Sequence, residues 1–300
     1  MRRSAKWAIP IGVAVLVLMY AGISYVIAAG VSGAERKPLE DRPEAHGLAY
    51  EDVAFSSRKG DVTLRGWYMT PRDGAPTLIF VHGITGNRTS DKAVDLAARL
   101  GMEGYNVLMF DLRGHGESGG KRISGGYFER QDVLGAFDFL VARGVSPERI
   151  GVVGFSMGAG TAILAAAEEQ GIWALVADSP YAHISDLLAF EVARKTVLPR
   201  WLVPAFVPGA KLWADVLYGI KIGELVPEDA AARIGYPILV IHGTADTRIP
   251  YEHGVRVHRA SRPGSELWLV PDVDHVDAFT TYPEEYVRRV EAYFGERLGE

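Results

Sequence analysis

Five short polar or glycine-rich stretches hold the residues of this chain that can do nucleophilic or acid–base chemistry. The sharpest is Gly154-Phe-Ser156-Met-Gly158, a G-x-S-x-G that joins an apolar run to a series of small residues. A tight strand-to-helix turn of this kind holds a serine hydroxyl clear of the chain, with glycines where a Cβ would collide. Alone, the same pattern also describes a helix start capped by serine, so its partners decide. A serine hydroxyl is a weak nucleophile near neutral pH and needs an adjacent base that a third group orients. His275, in Asp272-Val-Asp274-His275 beyond a late apolar run, is the expected base. Two residues compete for the orienting carboxylate, Asp178 and Asp246, each at the end of an apolar run.

The elements that must position these residues follow from periodicity. Short continuous apolar runs at 77–81, 106–110, 149–155, 173–177, 237–241 and 266–270 read as strands buried on both faces of a parallel sheet. Between them, 90–102, 127–143, 157–170, 251–260 and 283–297 repeat their apolar residues at spacings of three and four, as amphipathic helices do. Two alternating segments, 50–56 and 62–69, flank Arg58-Lys59-Gly60-Asp61 and predict an antiparallel hairpin. The fold class is therefore α/β, a doubly wound, mostly parallel sheet with antiparallel N-terminal strands. In such a sheet the loops after the strands meet at one carboxyl edge, where ligands bind. His82-Gly83-Ile84, the loop Asp111–Ser118, Ser156, His242-Gly-Thr-Ala-Asp246 and Asp274-His275 all fall there.

The interval 181–234 is too long for a plain crossover. It is rich in Phe190, Leu198, Trp201, Leu202, Phe206, Trp213, Leu217 and Tyr218 and is expected to form a helical insert, or lid, that lines an apolar pocket. At the amino end, residues 1–6 carry Arg2, Arg3 and Lys6, and 7–30 contain no charge. A helix of that length reaches about 36 Å, enough for a hydrocarbon core of about 30 Å. A cleaved signal peptide is the rival, with Ala28, Gly30 and Gly33 as small residues, but its apolar region is normally shorter. The expectation is an uncleaved single-pass anchor with the basic stub (1–6) cytoplasmic and the rest outside, since Glu35-Arg36-Lys37 is mixed in charge. A Pro- and Gly-containing linker (31–47) then leads into the main domain (48–300).

Composition excludes several classes. A net charge of −5 gives no basic footprint for nucleic acid. The absence of cysteine removes disulfides, thiolate metal sites and cysteine nucleophiles. Eight histidines without paired ligand spacing argue against a metal. Gly114-x-Gly116-x-x-Gly119 formally matches a dinucleotide fingerprint, but the chain continues as loop and Asp138 lies inside a helical stretch, so no cofactor is expected.

Taken together, the His-Gly after an early strand, D-x-R-G-H-G-x-S, G-x-S-x-G, H-G-x-x-D followed by Ile249-Pro250, and the late Asp-His resemble the α/β-hydrolase superfamily, particularly its esterase, thioesterase and serine-aminopeptidase-like members. The resemblance runs from about Tyr50 to the carboxyl end, and its order Ser, Asp, His is the one that fold uses. It implies Ser156 as nucleophile, His275 as base and Asp246 as acid, with Asp178 closing its strand near the insert. It also implies an oxyanion hole made by the backbone N–H groups of Met157 and Ile84. His82 and His242 are expected as supporting residues, Asp111 and Arg113 as a pair bracing their loop, and Asp272, Asp274 and Asp277 as solvent-facing or loop-bracing charges. The implied activity is cleavage of esters or thioesters of small acyl substrates. A short-peptide or aminopeptidase activity is the alternative, with Glu191, Asp215, Glu224 or Glu228 to hold a free amino group. A non-catalytic tethered binding module is the remote one.

Overall fold

The computed structural model describes residues 5–34, 36–69, 72–195, 199 and 201–299. Arg2, Arg3, Glu35 and Leu198 lie outside these residues, as do the side chains of Lys6, Phe190 and Glu191. In chain order the elements begin with α1 (Ala5–Val31), β1 (Glu51–Ser56), β2 (Thr63–Met69), β3 (Thr77–Val81), α2 (Ala93–Met102) and β4 (Asn106–Phe110). They continue with α3 (Glu129–Ala142), β5 (Ile150–Phe155), α4 (Met157–Glu168), β6 (Ala174–Asp178), α5 (Ile184–Lys195) and α6 (Val203–Tyr218). The last are α7 (Pro227–Ala231), β7 (Leu239–Gly243), α8 (Glu252–Ala260), β8 (Glu266–Val270), α9 (Ala278–Thr281) and α10 (Pro283–Leu298). They fall into two compact units, one of residues 34–183 and 225–300, the other of residues up to 33 and 184–224.

In the larger unit, eight strands among the described residues form one sheet in the order β1-β2-β4-β3-β5-β6-β7-β8. β2 is antiparallel to β1 and β4, with Glu51 opposite Tyr68 and Gly66 opposite Phe110. All other neighbours are parallel. The architecture is thus the α/β sheet with an antiparallel start that periodicity predicts. Every residue of β3, β4, β5, β6 and β7 is buried, which is why these strands carry no polar alternation. The edge strand β8 is partly exposed. β3 has β4 on one side and β5 on the other, so the strand order reverses there, and the loops after β3 and β5 flank this switch point, where ligands bind in sheets of this class.

The segment before β1 is fastened to this unit. The Arg36 guanidinium donates to the carbonyls of His115, Gly116 and Gly120 (3.1, 2.7 and 2.8 Å), and Asn87 Nδ2 donates to the Pro38 carbonyl at 2.8 Å. Leu39 and Leu48 pack on the core cluster that contains Trp67 and Leu100. Residues 36–48 are therefore a strap along the loops rather than a free coil.

The smaller unit joins α1 to α5 and α6 around Ile27, Ala28, Val192, Val203 and Ala210. Within α1, the 23 residues Ile9–Val31 are long and apolar enough to cross a membrane, and only 17% of the residues in the most apolar 18-residue stretch are buried.

Candidate active site

The loop after β5 sets the geometry. Ser156 begins α4 from a strained backbone (φ 56°, ψ −119°), a conformation that persists only where the surroundings enforce it. They do so through close approach. A Cβ on Gly154 would lie 2.6 Å from the Ala159 Cα, and one on Gly158 would run into the Val81 carbonyl oxygen. The helix therefore starts directly against β3 and β5, with its amino end at the serine. The Ser156 N–H donates to the Asp178 carbonyl at 2.8 Å, which ties the turn to β6.

His275 Nε2 stands 2.8 Å from Ser156 Oγ, and its Nδ1 stands 2.7 Å from Asp246 Oδ2. A carboxylate only accepts, so Nδ1 carries the proton and Nε2 is left to accept from the serine hydroxyl. Asp246 is buried as a side chain, and its Oδ1 accepts from the N–H groups of Arg248 and Ile249 at 2.8 and 2.7 Å. Burial alone would raise its pKa. The hydrogen bonds from His242 and His275, the charge of His275 and the Ile249 N–H outweigh burial and hold the carboxyl well below its usual range. His242 Nε2 lies between Asp246 Oδ2 (3.2 Å) and the Ile249 carbonyl (2.9 Å).

Asp178 does not join this chain. Its Oδ1 accepts from Ser179 Oγ at 2.9 Å and its Oδ2 from Tyr286 at 3.0 Å, and burial pushes its carboxyl up to about 6 despite these two donors.

The N–H groups of Met157 and Ile84 find no protein acceptor among the described residues. Gly83, beside Ile84, packs on the serine: a Cβ there would lie 3.2 Å from the Ser156 Cβ. Two histidines fix this loop. The Leu112 N–H donates to His82 Nε2 at 3.0 Å, so Nδ1 bears the proton and donates to the Gly83 carbonyl at 2.8 Å. Burial, with the charges of His115 and Arg88, drives the His82 pKa down to about 3, and the ring is neutral. His115 is also buried and its ring nitrogens face the carbonyls of Arg113 and Ile84 at 2.9 and 2.8 Å, linking the second loop to the first.

One expected pair is corrected. Asp111 and Arg113 do not bond to each other. Asp111 accepts from the Arg88 N–H (2.9 Å), the Arg88 guanidinium (3.1 Å) and the Glu117 N–H (2.8 Å), whereas Arg113 pairs with Asp132 (2.7 Å) and Asp61 (2.9 Å). Their i, i+2 spacing in a loop does not decide which way each side chain points. Arg88, a residue that motif reading missed, is buried and stacks 4.2 Å over the Trp67 ring. Asp274 is one of the residues expected as solvent-facing or loop-bracing charges. Its Oδ1 accepts from the N–H groups of both Thr247 and His275 at 2.8 Å, a clamp between the loops of acid and base. Asp138 sits in α3 and its carboxylate accepts from the Arg58 guanidinium.

This sheet, with a serine on a strained turn after its central strand and a histidine and a carboxylate in line with it, defines an α/β-hydrolase, and the chain belongs to that superfamily. The family model described as serine aminopeptidase, S33 matches residues 74–221. The Bacillus subtilis protein YqkD is 30% identical over 233 residues, 77% of this chain and 74% of its own. Lysophosphatidylserine lipase ABHD12 of Xenopus tropicalis is 27% identical over 253 residues, covering 75% of this chain and 62% of the lipase. Among solved structures, the Pyrococcus furiosus esterase Pf2001 superposes with a TM-score of 0.73 at 29% identity, over 89% of this chain and 99% of the esterase. The kinship is with esterases and lipases, and the chain is a hydrolase.

Proposed function

We propose that the protein is a membrane-anchored serine hydrolase that cleaves carboxylic esters or thioesters through an acyl-enzyme on Ser156. The observation that carries the reading is the continuous hydrogen-bonded run from Ser156 Oγ through His275 to Asp246, at 2.8 and 2.7 Å. In the proposed cycle His275 Nε2 takes the serine proton as Oγ attacks the acyl carbon. The N–H groups of Met157 and Ile84 receive the negative charge that develops on the acyl oxygen. His275 returns the proton to the leaving alkoxide or thiolate, then takes one from the water that attacks the acyl group and gives it to Ser156 Oγ as the carboxylic acid departs. Asp246, held ionised, orients the imidazole and stabilises its cation. The solved esterase and the lysophospholipid lipase among the relatives support acyl esters as the substrate class.

The anchor is α1. Arg2, Arg3 and Lys6 before it favour a cytoplasmic amino end, with the bulk of the chain on the outer side. The hydrolase should label with a fluorophosphonate, and Ser156→Ala should abolish labelling. Labelling that persists in that variant would overturn the assignment.

The family model's description favours one second reading, an aminopeptidase or short-peptide hydrolase. Of the anionic residues that reading needs, Glu228 is engaged by Arg256 at 2.6 Å, while Asp215 is exposed. A panel comparing p-nitrophenyl butyrate with aminoacyl p-nitroanilides separates the two, a large preference for the anilides selecting the peptidase.

A further inference from the structure

The smaller unit contains a conflict of lengths. A hydrocarbon core of about 30 Å takes about 20 helical residues to cross. On α1, residues 9–20 are exposed on all sides, and α6 covers the helix from Tyr20 onward. The bare portion alone reaches only about 18 Å at about 1.5 Å per residue. If α1 spans a bilayer, residues 21–28 must lie within it, and α6 is carried in with them.

The contact between the two helices is close and specific. The Tyr20 ring stacks on Phe206 at 5.4 Å, and its hydroxyl accepts from the Gly209 N–H at 3.1 Å. Trp213 Nε1 donates to the Ala21 carbonyl at 2.9 Å, and the Trp213 ring meets Tyr25 edge-on at 5.8 Å. Gly209 has no space for a Cβ because the buried Ser24 side chain fills it. Small residues at the crossing are what bring helices together where lipid removes the hydrophobic drive between them.

The opposite face of α6 is the decisive feature. Trp201, on the turn that leads into the helix, and then Ala205, Pro208, Leu212 and Val216 recur at steps of four, three, four and four, and all are exposed. Trp201 is 79%, Leu212 63% and Val216 67% exposed, and no charge interrupts the stripe. Lys211 and Asp215 lie on its flank, and Lys211 Nζ donates to Ser185 Oγ at 2.6 Å. An apolar helix face with nothing against it among the described residues, continuous with a helix long and apolar enough to cross a membrane, is suited to lipid.

We infer that α6 is embedded in the bilayer beside α1, with the stripe Trp201, Ala205, Pro208, Leu212 and Val216 facing lipid, so that a helix pair rather than a single span anchors the protein. The occupant of the stripe is the acyl region of the outer leaflet. This inference does not depend on the chemistry assigned to Ser156, only on α1 entering a membrane.

The absence of cysteine makes the test direct. Leu212→Cys, Val216→Cys, Val13→Cys and Met102→Cys in the full chain each give one site for a nitrobenzoxadiazole label after reconstitution into phosphatidylcholine vesicles. Val13 lies on the bare part of α1, and Met102 is an exposed apolar residue of the larger unit. The expected result is blue-shifted emission, quenched several-fold by doxyl-labelled lipid, at 13, 212 and 216 but not at 102, independent of the protein-to-lipid ratio. Quenching at 13 with water-like emission at 212 and 216 overturns the inference while leaving the single span intact. A blue shift at 212 without lipid quenching also overturns it, because a second copy of the chain would then cover the stripe. Water-like emission at all four sites removes the anchor itself. Wild-type circular dichroism in each variant guards against misfolding, and the two independent positions on α6 keep the result from resting on one side chain.

Discussion

Asp246 meets His275 with only one of its carboxylate oxygens: Oδ2 accepts the imidazole Nδ1–H at 2.7 Å, while Oδ1 is occupied by the N–H groups of Arg248 and Ile249. This asymmetry determines what Asp246→Asn does. The two backbone donors require the amide oxygen at the Oδ1 position, so the NH2 group must turn toward His275. The imidazole can then only accept at Nδ1, and its proton moves to Nε2, where it faces Ser156 instead of receiving a proton from it. The expected loss is about 10³- to 10⁴-fold in kcat with little change in KM, read from steady-state hydrolysis of an activated ester. Retention of more than a tenth of the wild-type kcat would remove Asp246 from the proposed role.

The clamp made by Asp274 supports a smaller prediction. Its carboxylate joins Thr247 to His275 through backbone N–H bonds, and it is largely exposed, so Asp274→Ala removes bonds worth about 1 kcal/mol each rather than a core contact. The backbone N–H bonds from Thr247 and His275 also hold its carboxyl below the usual range. Kcat should fall about tenfold as the base loop loosens, while the melting temperature moves by only a few degrees. A large fall in stability with unchanged kcat would show that the clamp serves folding and not the position of the base.

Gly158→Ala tests the elbow without removing any polar group. The added methyl would meet the carbonyl oxygens of Val81 and His82, which are backbone atoms unable to swing aside. Overpacking of this sort costs about 1–3 kcal/mol, and relief requires α4 to back away from β3. Urea denaturation should show that loss, and fluorophosphonate labelling of Ser156 should slow in the fraction that remains folded. Near-wild-type values for both would mean that the turn has slack.

Much of this was readable along the chain, and the reason is topological. A parallel sheet delivers the residue after each strand to one edge, so strand ends bring His82, Ser156, His275 and both Asp178 and Asp246 there, and only the family resemblance favours Asp246 over Asp178 as the acid. The parts that were not readable depend on contacts between distant segments. Arg88 reaches Asp111 across 23 positions, and Arg113 takes Asp132 rather than its neighbour in the motif. The packing of α6 on α1 joins residues about 190 positions apart, such as Gly209 with Tyr20. Periodicity predicts that each helix has an apolar face but carries no information on which faces meet. The segment 31–47 was expected to be a linker because it is polar and contains Pro and Gly; its hydrogen bonds run through Arg36 and through backbone groups, which composition does not report.

Two buried groups near the site titrate in opposite senses and together shape stability in acid. His82 has a folded pKa of about 3 against a usual value of 6.5, because burial first and the charge of His115 second disfavour the cation. Above pH 6.5 it is neutral in both states and contributes nothing to pH dependence. Below that the unfolded chain takes up a proton that the folded ring refuses, so stability falls by about 1.4 kcal/mol per pH unit until about pH 3. Asp178 has a folded pKa of about 6 against 3.8, again through burial, with Ser179 and Tyr286 offsetting only part of the shift. As pH drops from about 6 to 3.8 the folded state binds a proton that the unfolded state does not, and stability rises. The two slopes oppose each other across that window, and below it the loss from His82 is joined by the loss from Asp246, whose carboxyl is held below its usual range. Asp178→Asn keeps partners for Ser179 and Tyr286, since the tyrosine hydroxyl can accept from the amide, and it removes only the rising slope. Denaturation midpoints of the variant should therefore fall away from those of the wild type as pH drops from about 6 to 4, the difference in stability growing by about 1.4 kcal/mol per pH unit. Parallel curves for the two proteins would mean that Asp178 keeps its ordinary acidity in the folded state.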